Sequence, residues 1–174
     1  MAEITFISNK TRKELYKYFL VIIFAVITWI LQLSIFSRLI FFDSSLNLMF
    51  LCCIYWGLSW GITHGCIFGI VCSFLSSSNL YDHTFYLSYP LIGILTGLLT
   101  KNIFSDEMLF FIILAFILTF PLELLNGWQY SISNPINIHE YYIFISLISA
   151  IINLCFSPFL YLFMKFLRNK LKIR

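Results

Sequence analysis

The chain has 174 residues, of which 60% are hydrophobic and 11% charged, with a formal net charge of +3. A soluble domain of this length would carry about a quarter charged residues, so the composition excludes an ordinary soluble domain. Long uncharged runs and a mean hydropathy of +0.90 instead predict an all-α polytopic membrane protein. We expect a single membrane domain over residues 1–174, without a soluble appendage.

The first predicted span covers residues 18–36 and contains no charged side chain. At about 1.5 Å per residue it would be roughly 28 Å long, which is enough to cross the hydrocarbon core. A basic segment precedes it, as in a signal peptide. The apolar run is too long for a signal peptide, however, and no small-residue cleavage motif follows it. The pattern therefore predicts a retained first span.

The stretch from Leu46 to Leu75 decides the number of spans. As one helix it would be about 45 Å long, well beyond a core of about 30 Å. We predict a turn near Gly61–Gly65 that divides it into two spans, about 46–60 and 65–75. One long helix, with five spans in all, is the alternative. Three further spans are expected at about 84–100, 108–125 and 141–164.

The distribution of basic residues favours six spans over five. Both ends of the chain are basic, and Lys and Arg near span ends favour the cytoplasm. With six spans both termini are cytoplasmic, and Arg38 alone among the 11 Lys and Arg residues falls outside. With five spans the basic C-terminal segment would lie on the opposite side. The sequence therefore predicts six transmembrane helices.

Small residues recur at every fourth position in the centre of the chain. The positions concerned are Gly57, Gly61, Gly65, Gly69 and Ser73, with Gly93 and Gly97 in the fourth span. Small residues allow transmembrane helices to approach closely, because packing rather than hydrophobic burial holds helices together in lipid. One interpretation is packing between helices of this chain. The other is a face at Gly65–Ser73 or Gly93–Gly97 that accepts the helix of a partner protein.

One ionisable side chain, Glu123, lies near the outer end of the fifth span, just after Pro121. An ionisable group in a membrane is costly and is often functional. With Asn126, Trp128 and the loop residue Asp82 it makes a candidate polar site on the outer side. The alternative is a carboxylate at the interface that reaches water. In the last span, Asn153 is interpreted as a packing residue.

The sequence contains no recognisable catalytic constellation. There is no nucleophile beside a base, no HExxH motif and no phosphate-binding glycine loop, so we predict no catalytic residues and no cofactor. The pairs Asp82–His83 and His139–Glu140 would suit zinc, but solvated loop residues are the simpler interpretation and no metal is expected. The basic residues flank spans and do not indicate nucleic-acid binding. Trp56, Trp60 and Trp128 are expected in interfacial belts.

Residues 43–104 resemble the rod shape-determining protein MreD family of bacteria. The similarity lies in three successive segments: SSLNLMFLCCIYWGLSWG, THGCIFGIVCSFLSSS and LSYPLIGILTGLLTKNIF. They reproduce a short apolar helix, a glycine-marked turn, a helix with small residues every four places, and a span with a glycine pair. The size of the chain and its basic tail, FMKFLRNKLKIR, also fit the family.

The resemblance implies a non-enzymatic scaffold of the cell-wall elongation machinery in the bacterial cytoplasmic (inner) membrane. The expected partners are an MreC-type membrane protein, the elongation complex and the lipid bilayer, with a homo-oligomer left open. It also implies a bundle like that of the S components of energy-coupling-factor vitamin transporters. Since fold alone does not fix function, such a substrate-binding S component is the alternative.

Overall fold

A computed structural model describes residues 9–41, 44–77, 87–99, 107–133 and 139–170. This part of the chain contains six α-helices, which confirms the predicted helical class. Their bounds are α1 (Asn9–Ser34), α2 (Leu48–Trp60), α3 (Ile62–Ser77), α4 (Ser88–Leu99), α5 (Glu107–Ser133) and α6 (His139–Lys170). Between α1 and α2 lie a 3₁₀ helix (Phe36–Arg38) and two short antiparallel strands, β1 (Ile40–Phe41) and β2 (Ser44–Ser45), in which Ile40 pairs with Ser45. The sequence did not predict the strands.

Three of the described helices are long and apolar enough to cross a membrane. The stretches concerned are Glu14–Arg38, Met108–Trp128 and Tyr141–Lys170. The helices α2, α3 and α4 are also apolar but shorter. The 13 residues of α2 extend only about 20 Å, which is shorter than a hydrocarbon core of about 30 Å.

The predicted turn between α2 and α3 is confirmed and lies at Gly61. Its φ of 85° and ψ of −176° place it in a backbone region that only glycine adopts readily. The Gly61 N–H donates to the Gly57 carbonyl at 3.0 Å, and the Gly65 N–H donates to the Gly61 carbonyl at 3.1 Å. Some of the backbone groups at the turn therefore form hydrogen bonds within the turn itself. The conformation of Gly61 excludes a single continuous helix over α2 and α3.

Helix α2 is the central helix of the bundle. Ten of its 13 residues, Leu48 to Gly57, are buried, which follows from a sequence that is apolar on every side. The helices α3 and α4 pack against α2 and against each other, and the paired helices α5 and α6 pack on another side. Helix α1 contacts both α2 and α3. The buried face of α1 recurs at helical spacing through Val21, Ala25 and Thr28.

Several helix ends differ from the predicted spans. Helix α1 begins at Asn9, nine residues before the predicted first span, so its basic segment is helical. Helix α5 continues through Pro121 to Ser133 rather than ending at residue 125. A helix need not stop at the membrane boundary, because its backbone hydrogen bonds are internal and hold equally well in water. Helix α6 likewise continues to Lys170.

Candidate functional sites: the glycine seam, the polar network and the helix groove

The glycines of α2, α3 and α4 form a seam inside the chain, made of Gly57, Gly65, Gly69, Gly93 and Gly97. A Cβ atom at Gly69 would lie 2.5 Å from the Tyr89 carbonyl oxygen, and one at Gly65 would lie 2.6 Å from the Gly93 carbonyl oxygen. These distances are far below ordinary contact, so the backbones of α3 and α4 touch directly. The geometry supports the interpretation that these glycines serve packing within the chain.

On the second interpretation, a partner helix would use the same faces. The face at Gly65–Ser73 contacts the face at Gly93–Gly97, and a Cβ atom at Gly97 would lie 2.5 Å from the Ile62 backbone nitrogen. The Cys53 thiol also donates across this region to the Tyr89 carbonyl at 3.2 Å. Each of these faces therefore already holds a helix of the same chain. The Gly61 backbone also lies close to Gly97, since a Cβ atom at Gly97 would lie 2.8 Å from the Gly61 carbonyl carbon.

A network of polar side chains surrounds the beginning of α2. It consists of Gln32, Asn47, Tyr89, Thr119 and Asn153, from α1, the α2 N-cap, α4, α5 and α6. Asn153 is fully buried; its Oδ1 accepts from the Asn47 N–H at 3.1 Å, and its Nδ2 donates to Thr119 Oγ1 at 3.2 Å. The Tyr89 hydroxyl lies 3.4 Å from both side-chain polar atoms of Asn47. The network therefore connects five elements of the bundle.

The chemical role of this network is to cap α2. The first four N–H groups of any α-helix have no partner within the helix, and leaving them unpaired in an apolar environment is costly. Here the Leu48 N–H donates to Gln32 Oε1 at 2.8 Å, and the Phe50 N–H donates to Asn47 Oδ1 at 3.0 Å. With the bond from Asn47 to Asn153, three of the four groups are satisfied by side chains. This arrangement allows a short helix to begin inside the bundle.

Three of the four residues of the predicted outer polar site, Glu123, Asn126 and Trp128, lie on α5 in the described part of the chain. Glu123 is partly buried, while Trp128 is 61% exposed. The Asn126 Oδ1 atom is buried and accepts no hydrogen bond from the described residues. Asp82 lies outside the described residues. Of the three described residues, Trp128 lines the groove that runs beside α5, whereas Glu123 and Asn126 do not line that groove.

An open apolar groove, the α5–α6 groove, lies beside those residues instead. It has a volume of about 460 Å³ and is lined by Pro121, Leu124, Leu125, Trp128, Tyr142 and Ile143. The lining contains only the Trp128 and Tyr142 side chains as polar donors. Gly127 brings the helices together below the groove, since a Cβ atom there would lie 2.8 Å from the Tyr142 ring. Such a groove fits an aliphatic or aromatic surface better than a polar solute.

The other chemical groups of the chain are dispersed. Among the described residues, no group of three His, Cys, Asp or Glu side chains lies close enough to hold a metal ion. All five cysteines are free thiols; Cys52, Cys53 and Cys72 are buried, Cys66 is partly buried and Cys155 is exposed. The pairs Asp82–His83 and His139–Glu140 lie outside the described side chains.

Comparison with known proteins gives no relative. No protein family, no curated protein and no solved structure matches this chain. The resemblance of residues 43–104 to the MreD family thus stands on the three quoted segments alone.

Most of the polar network was not predicted from the sequence. Asn153 was interpreted only as a packing residue, although it holds α2, α5 and α6 together. A local signal existed for Asn47, because Asn directly before an apolar run is typical of a helix N-cap. Gln32 gave a second signal as an uncharged polar residue inside a predicted span. That both would meet Asn153 depends on tertiary packing, which no local pattern encodes.

Proposed function

We propose that this protein is a non-enzymatic scaffold of the cell-wall elongation machinery in the bacterial cytoplasmic membrane, where it binds an MreC-type partner. The observation that carries the proposal is the use of the buried polar groups. They cap α2 and join helices to one another, and the open groove among the described residues is apolar. This arrangement suits a protein that holds another helix rather than one that binds a polar solute or performs a reaction.

The proposed topology has six spans with both termini in the cytoplasm. It is supported by the basic ends of the bundle: Lys17 of α1 lies 5.6 Å from the ring centroid of Trp60, and Arg168 of α6 lines the same small cavity as Trp60. The beginning of α1 and the end of α6 are thus at one end of the bundle, beside the α2–α3 turn. Basic residues near span ends favour the cytoplasmic side.

The partner surface that we propose is the α5–α6 groove. The glycine seam is occupied, whereas the groove exposes Leu125 to 50% and Trp128 to 61%. A single apolar span, such as that of an MreC-type protein, would place aliphatic side chains against these residues. Helix association in lipid depends on close packing, so a groove between two helices offers more contact than one convex helix.

Co-purification from the native bacterium in mild detergent tests this proposal. Leu125→Trp would fill the groove, and Leu91→Trp on α4 is its matched control because both leucines are 50% exposed. We expect the wild-type chain and the Leu91→Trp variant to recover the MreC-type partner, and Leu125→Trp to lose most of it. Equal recovery by both variants would exclude the groove as the docking surface.

Depletion of the protein tests the broader role. Cells that lose it are expected to widen and become round, and full-length protein from a plasmid should restore their width. Normal cell shape, with an ATPase and a transmembrane coupling protein recovered in place of the MreC-type partner, would instead identify an S component of a vitamin transporter.

A further inference from the structure

The end of the bundle that carries the basic residues contains a cleft between α1 and α6. Both helices pack against α2 and make few contacts with each other. At the opposite end the gap is bridged by Phe36 and Phe156, whose ring centroids are 6.3 Å apart. We call the cleft at the basic end of the bundle the basic cleft. It is lined by Phe24, Tyr55, Trp56, Trp60, Met164, Leu167 and Arg168. The enclosed part has a volume of about 20 Å³, enough for one water-sized group.

One of the residues that line the cleft, Trp56, carries a buried hydrogen-bond donor that has no acceptor among the described residues. Trp56 is only 3% exposed, and its Nε1 atom is buried without a hydrogen-bond partner in the described part of the chain. Trp56 was expected at the membrane interface, but it packs between Phe24, Trp60 and Phe68 inside the bundle. Buried indole N–H groups are normally paired, since an unpaired donor loses its bond to water on burial. The cleft therefore favours a ligand that carries an acceptor.

Two positively charged side chains lie at the cleft. Arg168 lines the cleft itself. The Lys17 ammonium lies 5.6 Å from the centroid of the ring of Trp60, which also lines the cleft. Guanidinium and ammonium groups near a membrane surface attract anionic headgroups, and arginine is suited to the oxygens of a phosphate. The acceptor that fits these groups is a phosphate oxygen.

The two helices that form the cleft also carry exposed apolar side chains. Phe19 of α1 is 60% exposed, and Phe163 and Phe166 of α6 are 56% and 61% exposed. Both helices are long and apolar enough to cross a membrane. They would contact acyl chains while the phosphate lies at the entrance. A free phosphate ion would make no use of this apolar surface.

We propose that the basic cleft binds an anionic glycerophospholipid, whose phosphate is held by Arg168 at the entrance while one phosphate oxygen enters the enclosed space and accepts from the Trp56 indole N–H. Lys17 contributes charge at the entrance, and the acyl chains lie on the apolar faces of α1 and α6. This site is separate from the α5–α6 groove and does not depend on the identity of a protein partner.

Native mass spectrometry of the full chain in detergent tests the proposal, with phosphatidylglycerol, phosphatidylcholine and inorganic phosphate as separate probes. The wild-type chain is expected to retain phosphatidylglycerol in preference to the other two. Arg168→Gln should weaken that binding by about tenfold, since a charge-assisted bond to phosphate is lost. Lys170→Gln on the same helix, outside the cleft, is the matched control and should change binding by less than about twofold.

A second variant separates the hydrogen bond from the charge. Trp56→Phe keeps an aromatic ring against Phe24 but removes the N–H, so phosphatidylglycerol binding should weaken while the elution volume on gel filtration stays unchanged. The proposal is overturned if Arg168→Gln and Lys170→Gln bind phosphatidylglycerol equally. It is also overturned if phosphatidylcholine binds as tightly as phosphatidylglycerol, or if inorganic phosphate alone is retained.

Discussion

Replacing Gly69 with alanine tests whether the glycine seam holds α3 against α4. The new Cβ atom would lie 2.5 Å from the Tyr89 carbonyl oxygen and 2.6 Å from the Pro90 nitrogen. Both neighbours are backbone atoms, so no rotamer change relieves the overlap. The helices would have to separate by about 1 Å to restore an ordinary contact distance. That separation would also disturb the hydrogen bond from the Cys53 thiol to the Tyr89 carbonyl.

The magnitude follows from two opposing effects. Overpacking a closely packed interior costs about 1–3 kcal/mol, and the backbone contact places this site at the upper end. Alanine is the better helix former by about 1 kcal/mol, which offsets part of that cost. We expect Gly69→Ala to lower the free energy of unfolding by about 2 kcal/mol.

The matched control is Gly127→Ala in α5. There the nearest atom to the new Cβ is Cδ1 of the Tyr142 ring at 2.8 Å, and a side chain gives way more readily than a backbone. Its expected change is within about 1 kcal/mol of zero, because helix propensity offsets the smaller overlap. Circular dichroism of both variants in mild detergent, titrated with SDS, measures the difference. If the Gly69→Ala variant has the same free energy of unfolding as the Gly127→Ala variant, the packing argument is refuted.

Three further outcomes are expected. Asn153→Leu should cost about 2–3 kcal/mol in the same unfolding assay, since it leaves the Asn47 N–H unpaired, whereas Asn126→Leu removes an unpaired Oδ1 and should be nearly neutral. A membrane-permeant maleimide should label at most Cys66 and Cys155 in the folded protein and all five cysteines in SDS. Green fluorescent protein fused to the C-terminus should fluoresce, and alkaline phosphatase fused there should be inactive. A dark fluorescent protein with an active phosphatase would contradict the six-span topology.

The sequence was sufficient to predict the number of helices and the place of the turn at Gly61. Both predictions depend on local quantities, namely the length of uncharged runs and the glycine that interrupts a stretch too long for one span. The predicted span at about 108–125 did not give the end of α5, because the polar residues after Leu125 can leave the membrane while the helix continues. Helix formation and membrane burial are separate requirements, and the backbone of α5 satisfies its own hydrogen bonds to Ser133.

The candidate sites were harder to predict because they depend on which helix faces meet. The glycine spacing marked close approach, but the same spacing would suit a partner from another protein. The contact between Gly65 and Gly93 shows that the neighbours are α3 and α4 of this chain. Asn153 and Asn47 are 106 residues apart in sequence, so their hydrogen bond follows only from the assembled bundle.

The position of α2 explains why the two proposed binding surfaces lie at the outside of the bundle. A central helix shorter than the hydrocarbon core must begin within the protein, and its first N–H groups then require side-chain acceptors. Gln32, Asn47 and Asn153 supply those acceptors, so the buried amides are not available to a ligand. Among the described residues, the apolar groove lies near one end of α6 and the basic cleft near the other.

These two surfaces are far enough apart to act independently. Ile143 in the groove and Leu167 in the basic cleft are separated by about 36 Å along α6, using about 1.5 Å per residue. Changes at sites more than about 10 Å apart that share no partner usually have additive effects. A Leu125→Trp and Arg168→Gln double variant should therefore lose the protein partner and the anionic lipid each to the same degree as the single variants. Loss of both by either single variant would mean that the two surfaces are coupled through the bundle.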